Sequence, residues 1–308
     1  MRVMCGCLKV SAKAYYAWAE RIRQPETRET SVRAAVREKF YFHKRRYGSK
    51  RLSDELKDAG IEAGRYLTRR IMREEGLVAR QPRRFRPQTT DSRGTRPSPN
   101  LLKELGNTEL GAGEVLVGDI TYLAMTNSRF CYLAMFQDKR TKRIAGWAIS
   151  TRMTAEIVTD ALRMALRRGF VKRNAIIHTD RGSQYASNAF RQMLERCRLR
   201  QSMSGKGNCY DNAQAESFFS RLKTEADMKI FDTIDEAQST AFDYIDCYYN
   251  RVRRHSTLGT TIPKFEERLS LQNTGCARAG KASKQDFPPL SQPQQPIQSK
   301  GAKRDFRV

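Results

Sequence analysis

Val115-Leu116-Val117-Gly118-Asp119-Ile120-Thr121-Tyr122-Leu123 is a run of strand-forming residues with a carboxylate in its middle. β-branched and aromatic side chains suit a pleated, half-buried surface and aspartate is depleted there, so Asp119 is a charge that folding alone does not call for. Outward from this run, Phe130 to Gln137 and Arg143 to Ser150 read as two further strands joined by the turn Asp138-Lys139-Arg140-Thr141. Residues 154–169 carry Ile157, Ala161, Leu162 and Ala165 at helical spacing. Ala175-Ile176-Ile177-His178 is a short apolar strand that ends at Asp180. A helix near 187–196, a strand near 198–203 and a helix from about 212 follow. Three consecutive antiparallel strands followed by alternating helix and strand predict an α/β domain with a mixed sheet.

Two more carboxylates fall where burial is costly. Asp180 stands at the C-terminal end of a buried strand, where α/β sheets place ligand groups, and Glu216 lies early in a helix whose Phe218, Phe219 and Leu222 point inward. A carboxylate so placed must be paired, hydrogen-bonded or metal-bound. The chemistry that rewards three of them is phosphodiester cleavage and transfer, in which two Mg²⁺ ions (or Mn²⁺) roughly 3.5–4 Å apart flank the reacting phosphorus. Oxygen ligands without nearby His or Cys point away from zinc. Thirty-five residues separate Asp180 from Glu216, a weak signal by itself in a chain of 33 acidic residues. His178 reads as a packed histidine near the site, His43 as ordinary surface, and Asp138 as a residue that serves turn geometry.

The front of the chain reads differently. The whole chain holds 58 Lys+Arg against 33 Asp+Glu, a net charge of +25, and a chain so basic calls for a polyanionic partner, nucleic acid before all others. Helices are expected over 11–22 with Ser11 as N-cap, over 31–42 with Val32, Val36 and Phe40 inward, from Ser49 to a stop at Gly60 with Leu52, Leu56 and Ala59 inward, and over 64–75 with Leu67 and Ile71 inward. The last of these lines its outer face with Arg65, Arg69, Arg70 and Arg73. Three small helices ending in an arginine-lined one predict a helix-turn-helix unit, whose last helix enters a DNA major groove; the alternative is a helical hairpin with a solvated basic face, and the basic run Arg80 to Arg86 that follows favours DNA.

The segments Gly118-Asp119-Ile120-Thr121-Tyr122, His178-Thr179-Asp180-Arg181-Gly182-Ser183-Gln184-Tyr185 and Met203-Ser204-Gly205-Lys206-Gly207-Asn208-Cys209-Tyr210-Asp211-Asn212-Ala213-Gln214-Ala215-Glu216-Ser217-Phe218-Phe219 resemble three motif blocks of OrfB-type insertion-sequence transposases. A fourth block is similar as well, Tyr249-Asn250-Arg251-Val252-Arg253-Arg254-His255-Ser256-Thr257-Leu258-Gly259. The resemblance implies an RNase H-like, retroviral-integrase-like D,D(35)E core preceded by an all-α helix-turn-helix domain. It also implies that Asp119, Asp180 and Glu216 are the catalytic, metal-binding triad, with water and then a DNA 3′-hydroxyl as nucleophiles. Lys206, Asn208, Tyr210, Lys223, Arg251, Arg254 and His255 are the expected DNA contacts around that core, and Asn212 is expected to cap its helix.

The expected organisation is a short helical segment over 1–30, the helix-turn-helix domain over 31–80, a basic linker over 81–112, the catalytic core over 113–270 and a disordered tail over 271–308. The expected partners are transposon terminal inverted repeats, target DNA, an upstream-frame (OrfA) product or fusion, and further copies of the chain. No window approaches the roughly 18 apolar residues of a membrane span, and seven cysteines, an odd number, fit reduced thiols in a cytoplasm; the resemblance implies a bacterial one, with double-stranded DNA at the nucleoid as the partner. Two rival readings are a relic or regulator that binds transposon ends without cutting them, which gives no reason for three intact carboxylates, and a plain nuclease, which gives no reason for the helix-turn-helix unit.

Overall fold

The computed structural model describes residues 2–7, 10–23, 27–81, 98–106, 108–126, 129–205, 213–226, 228 and 230–276. The chain divides into two compact units, one of Met1–Gln88 with Phe218–Lys229 and one of Thr89–Ser217 with Ile230–Val308.

In the first unit α1 (Arg2–Cys7) and α2 (Ala12–Arg23) precede three helices, α3 (Thr27–Phe42), α4 (Ser49–Asp58) and α5 (Arg65–Glu74). Ser11 accepts a hydrogen bond from the Ala14 N–H at the start of α2, as an N-cap should. Val32, Val36 and Phe40 of α3, Leu52 and Leu56 of α4 and Ile71 of α5 are all buried. Gly60, at φ +77°, ends α4 in the left-handed region that glycine adopts without strain, and the Ile61 N–H returns to the Leu56 carbonyl at 2.9 Å. Ala59 therefore lies past the helix and is exposed instead of facing inward, and Leu67 is only half-buried. α3 begins four residues before the expected 31. Its extra turn carries no core residue and is held by Glu29, which accepts from Arg33 at 2.7 Å.

His43, expected at the surface, is buried: its Nε2 lies 2.5 Å from Glu55 Oε2 and its ring stacks on Tyr47 at 3.7 Å. Glu55 sits one element away, so no local pattern marks the pair. Its carboxyl is penalised by burial, yet its pKa falls below the ordinary range because His43 and Lys39 outweigh that penalty.

The second unit opens with α6 (Leu101–Leu105), capped by the Asn100 side chain, within a stretch expected to be linker. The strands β1 (Val115–Ala124), β2 (Phe130–Asp138) and β3 (Ile144–Ser150) form an antiparallel meander. α7 (Ala155–Arg167) leads to β4 (Ile176–Thr179), and α8 (Ser183–Ala186) with α9 (Asn188–Arg196) leads to β5 (Arg200–Met203). β4 lies parallel to both β1 and β5, so the sheet order is β3-β2-β1-β4-β5. This is the mixed sheet of the RNase H-like fold. Leu116, Phe136 and Ile177 pack under Ile157, Ala161 and Leu162 of α7 and Phe190 of α9, and that layer is the core.

α10 (Ala213–Glu225), α11 (Ile234–Phe242), a π-helical turn Asp243–Tyr249, the short pair β6 (Arg254–His255) and β7 (Thr260–Thr261), and α12 (Ile262–Cys276) complete the chain. α12 continues six residues past the expected core boundary at 270. None of the described helices is long and apolar enough to cross a membrane.

Candidate active site

The β1–β4 ladder pairs Val115 with Ile176 and continues residue by residue to Gly118 beside Thr179. Asp119 follows within β1, and Asp180 is the first residue past β4. Parallel neighbours about 4.8 Å apart present equivalent side chains on one face, so this register, carried one residue on, directs the two carboxylates to the same place beyond the end of β4, and both act on the Tyr185 hydroxyl. Gly118 makes this possible on the opposite face, because a Cβ there would lie 2.4 Å from the Phe136 ring.

Asp119 Oδ1 accepts from the Ile120 N–H at 2.8 Å, and Asp180 Oδ1 accepts from the Gly182 N–H at 3.0 Å. Burial pushes the Asp180 carboxyl above its ordinary pKa, and the Gly182 N–H only partly offsets it. Among the described residues no lysine, arginine or histidine forms an ion pair with Asp180. Arg181 points its guanidinium at the Ser204 carbonyl instead. An all-oxygen pair whose desolvated member, Asp180, forms no ion pair among the described residues fits a hard divalent cation.

Tyr185 adds a feature that sequence reasoning missed. Its ring packs edge-on against Phe136 and Phe190, and its buried hydroxyl has no hydrogen-bond partner among the described residues. Burial, then the negative charges of Asp119 and Asp180, hold its pKa well above the usual value. The motif block contains Tyr185, but nothing in apolar periodicity tells a tyrosine with an orphan hydroxyl from a phenylalanine.

Glu216 lies on the first turn of α10 and is exposed. Among the described residues no three of His, Cys, Asp and Glu are grouped to hold a metal, so the structure brings Asp119 and Asp180 together and leaves Glu216 outside that pair. The start of its helix is nevertheless fixed. Lys142 Nζ donates to Gln214 Oε1 at 2.8 Å, and Gln214 Nε2 donates to the Asp138 carbonyl at 3.1 Å. Asp138 itself serves the turn, its carboxylate accepting from the Gly113 N–H and from both the N–H and hydroxyl of Thr141. His178 is the packed histidine expected, buried with Nδ1 2.9 Å from Ser202 Oγ.

The expected DNA contacts divide. Lys206, Asn208, Tyr210 and the capping residue Asn212 lie outside the described residues. Lys223 is half-buried on α10, and Arg251 is exposed. Arg254 donates to the Gly259 carbonyl at 2.8 Å. His255 is buried and edge-on to Tyr249 at 4.7 Å, where it packs as part of the scaffold. The fourth motif block is largely scaffold. Asn250 bonds both the N–H and the carbonyl of Ile144 at 3.0 Å, Tyr249 accepts from Gln137, and Arg253 is buried. In the first unit Arg65, Arg69, Arg70 and Arg73 all stand exposed on α5, and Arg70 pairs with Glu29 and Glu74.

Residues 27–85 match a family model described as an HTH-like domain, and residues 110–209 and 197–263 match two models of an integrase core domain. With the sheet order, these define a DDE-type integrase core joined to a DNA-binding helical domain. Among curated relatives, the chain is 39% identical over 275 residues to the transposase InsF for insertion sequence IS3A of Escherichia coli strain K12, spanning 88% of this chain and 95% of that protein. It is 38% identical over 264 residues to an uncharacterized 31 kDa protein of insertion element IS600 from Shigella sonnei, covering 84% and 96% of the two chains. The HTLV-2 integrase catalytic core in complex with magnesium aligns with 51% of this chain and 97% of its own, at 14% identity and a TM-score of 0.40. The chain belongs to the IS3 family of insertion-sequence transposases.

Proposed function

We propose that this transposase cleaves and joins DNA at a site built from Asp119, Asp180 and Glu216. The observation that carries the proposal is the pair of aspartates, Asp119 in β1 and Asp180 just past its parallel neighbour β4, with Asp180 desolvated and without an ion pair among the described residues. Asp119 and Asp180 would hold the first of two Mg²⁺ (or Mn²⁺) ions, and Glu216 would complete the second from α10. When bound, the ions supply activation of the attacking oxygen and stabilisation of the leaving one. The protein's part is positional: the strand register spaces the aspartates, and the Lys142–Gln214–Asp138 clamp fixes the helix that bears Glu216.

Water would first free the 3′-hydroxyl at the element's end, and that hydroxyl would then attack target DNA in line. α5 would bind the terminal inverted repeat through Arg65, Arg69 and Arg73. The working assembly would be an oligomer on DNA at the bacterial nucleoid, with the upstream-frame product or its fusion as partner. The rival reading, a regulator that occupies ends without cutting, draws on the separation of Glu216 from the pair. Incubating the purified chain and its upstream-frame product with a duplex bearing the inverted repeats beside its gene separates the two. Nicks at the repeat boundary with Mg²⁺ and none with chelator support the proposal, whereas binding without cleavage in Mg²⁺ or Mn²⁺ supports the rival.

A further inference from the structure

The outer face of α5 divides its charge in two. Arg70 Nη2 lies 3.0 Å from Glu29, and its Nε lies 3.8 Å from Glu74. Arg33 bonds Glu29 and Glu74, and Arg37 bonds Glu75 at 3.1 Å. These three acids knit α3 to α5, and Arg70 belongs to that brace. Arg65, Arg69 and Arg73 are exposed and form no ion pair with a described residue.

Among them stands Tyr66, 88% exposed and, among the described residues, the most open of the large apolar side chains. Single exposed apolar residues are ordinary, and what distinguishes Tyr66 is its place. It is the second residue of α5, and in helix-turn-helix proteins the first turns of the last helix meet base edges. Arg69 and Arg73, three and seven positions on, share its stripe and supply the charge that would bring phosphates to either side.

We propose that Tyr66 is the sequence-reading residue of α5. Its ring packs on base edges, a thymine methyl above all, while Arg65, Arg69 and Arg73 hold phosphates and Arg70 braces α3 without touching DNA. This rests on the DNA-binding reading of the helical unit given above.

The test uses the full chain and a pool of random duplexes, from which binding selects an enriched sequence. Affinity is then measured for that duplex and for a scrambled one across a salt series. Tyr66→Ala should weaken the enriched duplex about tenfold and leave the scrambled one within about twofold. Tyr66→Phe should match the wild type. Arg69→Ala should lower the salt slope by about one and Arg70→Gln should leave it unchanged. Equal loss on both duplexes, no loss on either, or a Tyr66→Phe defect as large as that of alanine would overturn the assignment, the last by giving the role to the hydroxyl on phosphate. A wild type that binds no duplex in a salt-dependent way would sink the DNA-binding reading itself, and this proposal with it.

Discussion

The sheet unit and the helical unit treat charge in opposite ways. Where β4 ends beside the middle of β1 the fold brings two carboxylates near each other, desolvates Asp180, and among the described residues gives it one backbone donor. On α3 and α5 it neutralises Glu29, Glu74 and Glu75 with arginines and leaves Arg65, Arg69 and Arg73 in solvent. The first arrangement costs stability and suits a cation. The second costs almost nothing and attracts a polyanion. In both units the charges paired with other side chains are scaffold, and under the proposed function Asp180, Arg65, Arg69 and Arg73, which form no ion pair among the described residues, are the ones that would meet metal or DNA.

The largest effect that would break this contrast lies at Glu216, which is exposed and belongs to neither pattern. Glu216→Gln should reduce end cleavage by about a thousandfold, since several kcal/mol of transition-state stabilisation go with a metal ligand, while the melting temperature stays put. Cleavage within a few-fold of wild type would remove Glu216 from the site. Next is Gly118→Ala, whose new methyl meets the Phe136 ring; overpacking there should cost about 1–3 kcal/mol in urea unfolding, and a neutral result would show that the strand has slack. Tyr185→Phe should act in the other direction, raising stability by about 1 kcal/mol because a buried hydroxyl without a partner is removed. A drop would mean that the hydroxyl is bonded in solution. The smallest effect is expected for Arg69→Ala and Arg73→Ala, which should change stability by less than about 0.5 kcal/mol. A larger loss would make those arginines structural, like Arg70.

Asp180 sharpens the contrast through pH. Its folded pKa is raised by burial, so the folded chain holds the proton more readily than the unfolded one. That contribution to stability is present below the ordinary carboxylate pKa of about 4 and is lost as pH rises through the raised value. Asp180→Asn carries no such loss. In chelator it should melt above the wild type at neutral pH, and the gap should close on acidification; a constant gap would contradict the burial penalty.

Much of this was legible in the residues. The strands around Asp119 and before Asp180 announce themselves as apolar runs bearing a carboxylate, and the arginine stripe of α5 follows from helical spacing. The meeting of Asp119 and Asp180 was not legible from either segment alone, because a parallel register is a long-range property. Nor was the second half of the sheet unit's helical layer. Ala237, Ala241, Tyr244, Ile245 and Tyr248 do recur at helical spacing, but two alanines dilute the signal. The fourth motif block shows a different failure. Its basic residues suggest nucleic acid, yet Asn250 and His255 are spent on holding Ile144 and Tyr249, and only tertiary contacts reveal that. His43 was misread for the same reason, its partner Glu55 lying on the next helix.

The central claim is that the adjacent aspartates are where DNA is cut. The most direct test compares wild type and Asp180→Asn on one labelled duplex carrying the element's terminal repeat, with binding and Mg²⁺-dependent nicking read from the same samples. The account predicts unchanged end binding with nicking reduced by about a thousandfold; nicking within a few-fold of wild type at equal binding would contradict it.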